Sequence, residues 1–153
     1  MCCAHNNMLR ALNSIHQQAI HVTSATDIRD LLTYARHWCS WLEEHHEGEE
    51  KIFFPQLETE TGVKGLMATN VAQHHAFLPG LERMERYVKE TQPEQYDGHA
   101  LRAIMDEFGP TLTEHLSDEI QTLLELEKFD AKKLREIYEA FDLGIRNKGD
   151  KVR

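Results

Sequence analysis

The chain is poor in the residues that punctuate or staple a fold: three cysteines, four prolines and eight glycines in 153 residues. Cys2, Cys3 and Cys39 are too few, and odd in number, for the disulfide framework of a small secreted domain. A redox or lipidation role for the adjacent Cys2-Cys3 pair stays open, with an ordinary terminal pair the preferred reading. Basic residues are outnumbered, 17 against 26 acidic ones, for a formal charge of −9, which gives no footprint for nucleic acid. No apolar run approaches the ~20 residues of a membrane crossing, and no signal-peptide-like stretch follows Met1. The expectation is a soluble cytoplasmic protein without a membrane partner. Scarce helix breakers beside 41% hydrophobic and 28% charged residues suit a single helical domain with a packed core. What is abundant is histidine, with ten copies.

Apolar residues recur at helical spacing along nearly the whole sequence, so the fold class is all-α. Helix 1 is expected over about 4–22. After a break at 23–26, where Ser24 and Asp27 have capping-box character, helix 2 runs over about 26–60. Its inward seam is Ile28, Leu31, Ala35, Trp38, Leu42, His45, Glu49 and Ile52, in steps of three and four. Gly62 and Gly65 end it. Helix 3 follows over 66–91 (Met67, Val71, His74, Leu78, Leu81, Val88) and helix 4 over 98–126 (Leu101, Ile104, Phe108, Leu112, His115, Glu119, Thr122, Leu126). A shorter helix 5 covers 130–146. The domain therefore spans 1–146, with its core in 4–126 and a polar, loose tail over 147–153. Short connections make consecutive helices antiparallel, giving an up-down-up-down four-helix bundle with an additional C-terminal helix.

Reflecting the helices across their turns brings His5, His45, Glu49, His74, His115 and Glu119 into one layer. A carboxylate on a bundle seam is costly unless it is satisfied, and this layer has two, each in a His-x-x-x-Glu pair one turn apart: His45/Glu49 and His115/Glu119. Converging imidazoles and carboxylates suit a transition metal, and a carboxylate can bridge two ions. At ~100° per residue, Glu49 falls between His45 and His46, which adds His46 to the candidates, while Glu50 is turned further away. His16 lies roughly 16 Å along helix 1 from His5, so the two are alternatives and the reflection prefers His5. His75 points off the seam, and His21, His37 and His99 are read as solvated. Glu43-x-x-His46 imitates a ferritin-like motif, but no second copy exists. Pro79-Gly80 and Gly109-Pro110 fall at one height and should bend their helices. They are read either as tolerated kinks or as an outward bow that makes room for a ligand. Trp38, Trp41, Leu42, Phe53, Phe77 and Phe108 are read as core.

At these residues the sequence resembles the hemerythrin-like (HHE cation-binding) family, in its fungal form, over about residues 4–126. The resemblance rests on His5-Asn6 with the run 9–15, on His45-His46-x-x-Glu49-Glu50 with Phe54-Pro55, on Gln73-His74-x-x-Phe77, and on His115-Leu116-x-x-Glu119-Ile120. It implies two non-haem iron ions with carboxylate and oxo or hydroxo bridges, and carries His5, His45, Glu49, His74, His115 and Glu119 over as ligands. Oxygen-carrying hemerythrins have a further histidine one turn from the helix 3 ligand, where this chain has Asn70 or Leu78. The iron-sensing hemerythrin domain of an F-box protein is similar in using the residue after the helix 2 histidine, here His46.

The expected function is therefore binding of O2 or a related small oxidant at a His/carboxylate-bridged iron pair, with Glu49 and Glu119 bridging. Peroxide- or nitric-oxide-consuming catalysis and an iron- or oxygen-sensing module are the rivals. Zinc and manganese share the same ligand preferences. The protein partner is unknown, and monomer is the default because no outer face forms an apolar patch.

Overall fold

The structure, a computed structural model, describes the chain through residue 149, with side chains through residue 145. Its helices are α1 (Cys2–Gln18), α2 (Ala25–Gly48), α3 (Phe54–Thr61), α4 (Ala68–Glu90), α5 (Gly98–Leu124) and α6 (Ala131–Gly149). A π-helical turn, Glu49–Phe53, joins α2 to α3 without a break, and short 3-10 segments occupy Pro93–Gln95 and Glu125–Lys128. Among the described residues there is no strand, and no helix is long and apolar enough to cross a membrane. The chain is an all-α bundle of α1, α2–α3, α4 and α5 around a common core, with α6 as an extra C-terminal helix laid across α2, the π turn and α3. The expected tail divides: residues 147–149 continue α6, and 150–153 lie outside the described residues.

Local chemistry sets most of the helix ends. The Ser24 hydroxyl accepts the Asp27 N–H at 3.1 Å, the cap expected from the sequence, and the Asp97 carboxylate caps α5 by accepting from the N–H groups of His99 and Ala100. Gly62 ends α3 at φ 70°, a left-handed conformation that glycine adopts without steric cost. Helix 1 stops at Gln18 rather than near 22. The Ala19 carbonyl there accepts the Tyr96 hydroxyl at 2.7 Å, and the start of α5 presses so close that a Cβ on Gly98 would stand 1.9 Å from that oxygen.

The π turn is the main departure from the expected helix 2. Inside this continuous helix the Pro55 ring would clash with the carbonyl four residues back, and Pro55 has no N–H to donate. A turn that carries one more residue relieves the crowding, and the Phe54 N–H reaches back five residues to the Glu49 carbonyl. The extra residue shifts the inward face by one position. Ile52, expected on the seam, is 44% exposed, and Phe53 takes its place at 2%.

Two apolar clusters result. The larger holds Met8, Ile15, Trp38, Leu42, Phe77, Met84, Leu101, Phe108, Leu112 and their neighbours. The smaller holds Phe53, Phe54, Leu57, Met67, Leu126 and Phe141. The proline-bearing stretches of α4 and α5 do not bow apart. A Cβ on Gly80 would lie 2.4 Å from the Cβ of Phe108, so glycine here permits a close approach of the two helices. The outward-bow reading is thereby corrected.

Candidate metal centre

Polar side chains from four helices and the π turn lie buried together. His5 (α1), His45 and His46 (α2), Glu49 (π turn), His74 (α4), and His115 and Glu119 (α5) are each no more than 6% exposed. Their donor atoms form two groups with one shared member. His46, Glu49, His74 and His115 each offer an atom within 4.8 Å of the others, and so do His5, His45 and Glu49. Glu119 stands beside the second group, with Oε2 3.1 Å from His5 Nε2. His16 lies apart and pairs with Asp106 at 2.8 Å on the surface side of α1, and His75 is exposed. His21, His37 and His99 are exposed as well.

The outer nitrogens fix which ring atom faces inward. His5 Nδ1 donates to the Leu116 carbonyl at 2.9 Å and His46 Nδ1 to the Leu42 carbonyl at 2.8 Å; a carbonyl only accepts, so each Nδ1 carries the proton and Nε2 keeps its lone pair. His74 Nδ1 donates to Glu50 Oε1 at 2.7 Å. Gln73 donates its amide N–H to Asp118 at 2.8 Å, which turns Gln73 Oε1 toward His115 Nδ1 at 3.4 Å. Such outer partners orient metal-binding imidazoles.

The inner atoms then have nothing suitable to bind. His74 Nε2 and His115 Nε2, both lone-pair atoms by this assignment, face each other at 3.0 Å. His45 Nε2 and Glu49 Oε1 lie 2.7 Å apart, and His74 Nε2 is 3.6 Å from Glu49 Oε2. Even so, Nε2 of His5, His45 and His46 and both oxygens of Glu49 and Glu119 are buried without a hydrogen bond from the protein. Two donor atoms at right angles on an ion, bound at about 2.1 Å, stand ~3 Å apart. The spacing here is that of ligand edges.

The electrostatics agree. Burial holds His45 down at about 4 and, with the neighbouring imidazoles, His115 at about 2. His46 is pushed well down by burial and by His74, His45 and His115. His74 is lowered by burial, partly offset by Glu50. These four rings are neutral at pH 7, as a metal ligand must be. Burial and the nearby Glu119 raise Glu49 well above the ordinary carboxyl range, so its anion lacks a countercharge that a cation would provide. The residues present fit a metal ion.

Access exists on two sides. A cavity of about 220 Å³ between α2 and α4 is lined by His46, His74, Phe77 and the carboxylates of Glu43, Glu47 and Glu50. Another of about 250 Å³ beside His45 lies under α6, against Trp41, Tyr138 and Phe141. α6 packs tightly over the helix that bears these ligands: a Cβ on Gly48 would stand 2.8 Å from Ile145 Cδ1, and the Phe141 ring stacks on Phe53 with centroids 5.0 Å apart.

The structure brings together all seven residues singled out in the sequence. Sequence reasoning missed Glu50, which a uniform 100° helix turns away and the π turn brings against His74. It also missed Gln73 as the orienting group of His115. Pro55 was the one local signal for the first, and nothing in the helical period signals the second.

Fold and site together define a helical-bundle cation-binding domain. A family model for the hemerythrin HHE cation binding domain matches residues 4–126, and the chain belongs to that family. It is 41% identical over 138 residues to the "Dimeric xanthone biosynthesis cluster protein R11" of Cryptosporiopsis sp. (strain 8999), a match covering 90% of this chain and 53% of the relative. The chain thus spans about half the length of the curated relative it matches. No solved structure matches it.

Proposed function

We propose that this chain holds two non-haem iron ions and binds O2 or a related small oxidant at that pair. The reading rests on one observation: the buried Glu49 carboxylate belongs to two separate histidine groups at once. His46, His74 and His115 with Glu49 would hold one ion. His5 and His45 with Glu49, and Glu119 beside them, would hold the other. Bound there, a ferrous pair would supply electrons to a small oxidant; the second group offers two imidazoles and two carboxylates where the first offers three imidazoles and one.

The chain's own residues do the remainder. Glu50, Gln73 and the carbonyls of Leu42 and Leu116 hold the Nδ1 protons outward, so the inner Nε2 of His5, His46, His74 and His115 stays available. Phe54, Phe77 and Phe141 pack against the imidazoles and exclude bulk water, which strengthens the electrostatics of the layer. The test is anaerobic loading with ferrous iron, then exposure to air and return to argon. Visible bands that appear in air and fade under argon are the expected result, and no spectral change in air contradicts the reading.

A second reading has its own support in the unpaired polar atoms of the layer: metal occupancy orders the bundle, and the protein reports iron. It predicts a metal-free protein that is less helical and melts lower than the loaded one. Equal helicity and melting temperature contradict it.

A further inference from the structure

Asn70 is 1% exposed, and neither its Oδ1 nor its Nδ2 has a hydrogen-bond partner in the protein. A buried amide left so carries its full desolvation penalty, and an apolar side chain would fill the position without it. Asn70 lies one turn before His74 on the inward stripe of α4, which continues through Phe77, Leu81 and Met84.

Its level in the bundle follows from cross-helix contacts. His74 meets His115, Gly80 meets Phe108, and Arg83 pairs with Glu107 across α4 and α5. In that antiparallel register Asn70 is level with Glu119. On the other neighbour, Glu49 and Glu50 meet His74, which places Asn70 level with Phe53 and Phe54. The aromatic pair offers no hydrogen bond. Glu119 is the polar side chain at this height, fully buried, with both oxygens also unbonded. Direct metal ligation through Oδ1 would leave the two N–H donors of Asn70 unsatisfied, and an amide oxygen suits magnesium or calcium better than a site built of imidazoles. A small exchangeable molecule between the amide and the centre meets both needs.

We propose that Asn70 is a ligand-positioning residue: its side-chain amide holds the small exchangeable ligand, water or a small anion, that the His/Glu centre takes up beside Glu119. The inference rests on the metal-binding reading above and names the ligand class of that same site.

The test uses the full chain with iron loaded, azide as the probe, and the variants Asn70→Leu and Asn70→Asp. Metal content is measured first. Both variants should carry as much iron as the wild type. Azide titrated by its difference spectrum should bind roughly tenfold more weakly to Asn70→Leu, the loss of one hydrogen bond, and more weakly to Asn70→Asp through charge repulsion. Metal-free Asn70→Leu should melt higher than the metal-free wild type, because an unsatisfied buried amide has been replaced by an apolar group. Azide affinity unchanged with iron intact overturns the inference and leaves Asn70 with structural water only. Loss of iron in Asn70→Leu overturns it in favour of direct ligation. A wild-type protein that takes up no metal overturns the metal-binding reading itself, and this inference with it.

Discussion

The two apolar clusters on either side of the histidine layer are built differently. Among the described residues the larger has twenty buried side chains from α1, α2, α4 and α5, interdigitated aliphatic and aromatic groups with Trp38 donating to the Met8 carbonyl at 3.0 Å. The smaller has six, three of them phenylalanines, and depends on α6 and the π turn to close it. The larger half needs no cation, because burial supports it at roughly 25 cal/mol per Å² of apolar surface. The smaller sits against a layer whose imidazoles and carboxylates repel or remain unsatisfied until a cation arrives. Packing and metal binding thus support different ends of one bundle, and changes at one end should be separable from changes at the other.

Removing the metal should separate the two halves most strongly. Chelation should erase hydrogen-exchange protection in α3, α6 and the start of α1, while the amides of Leu31–Leu42 and Leu101–Leu112 keep theirs. Uniform loss along the chain would mean that the two halves do not differ. Acidification comes next. Protons compete for His45, whose value of about 4 replaces an ordinary 6.5, so the metal-free folded state takes up fewer protons than the unfolded chain between those values and loses stability as pH falls through that window. Glu49, raised by burial, acts oppositely in the metal-free protein: stability declines as pH rises above the ordinary carboxyl value of 4.5. Metal binding expels the Glu49 proton, so affinity should increase with pH through the acid range, read by competition with a chromophoric chelator. An affinity independent of pH would remove Glu49 and the histidines from the site.

Smaller effects sharpen the contrast. Gly80→Ala drives a methyl into Phe108 at a spacing of 2.4 Å and should cost about 1–3 kcal/mol by denaturant unfolding, with metal content unchanged because the damage is confined to the larger half. Gly48→Ala meets the tip of Ile145 at 2.8 Å and the edge of the Phe141 ring at 3.1 Å. It should cost about 1 kcal/mol, loosen α6 and speed extraction of the metal by chelator. Extraction at the wild-type rate would show that α6 does not guard the layer.

Much of this was legible in the sequence because a metal layer breaks a strong pattern. Histidine and glutamate on seams otherwise made of leucine, tryptophan and phenylalanine are conspicuous, and short turns make their heights comparable. The π turn was not legible, since hydrophobic spacing assumes a constant angle per residue. One extra residue after Glu49 therefore exchanged Ile52 for Phe53 and brought Glu50 onto His74. Gln73 sits off the inward stripe and acts sideways, through a contact between helices that no single helix encodes. The Gly80 contact was likewise misjudged because a proline–glycine step marks a weakened helix without saying whether the neighbour moves away or moves in.

The most direct test of a carboxylate shared between two ions is the metal-to-chain ratio of protein reconstituted anaerobically with ferrous iron and freed of excess, for the wild type and for Glu49→Gln. A carboxylate shared by two histidine groups predicts two ions per chain in the wild type and loss of both, or of all cooperative uptake, in the variant. A single ion in the wild type, or two ions held undiminished by Glu49→Gln, would contradict it.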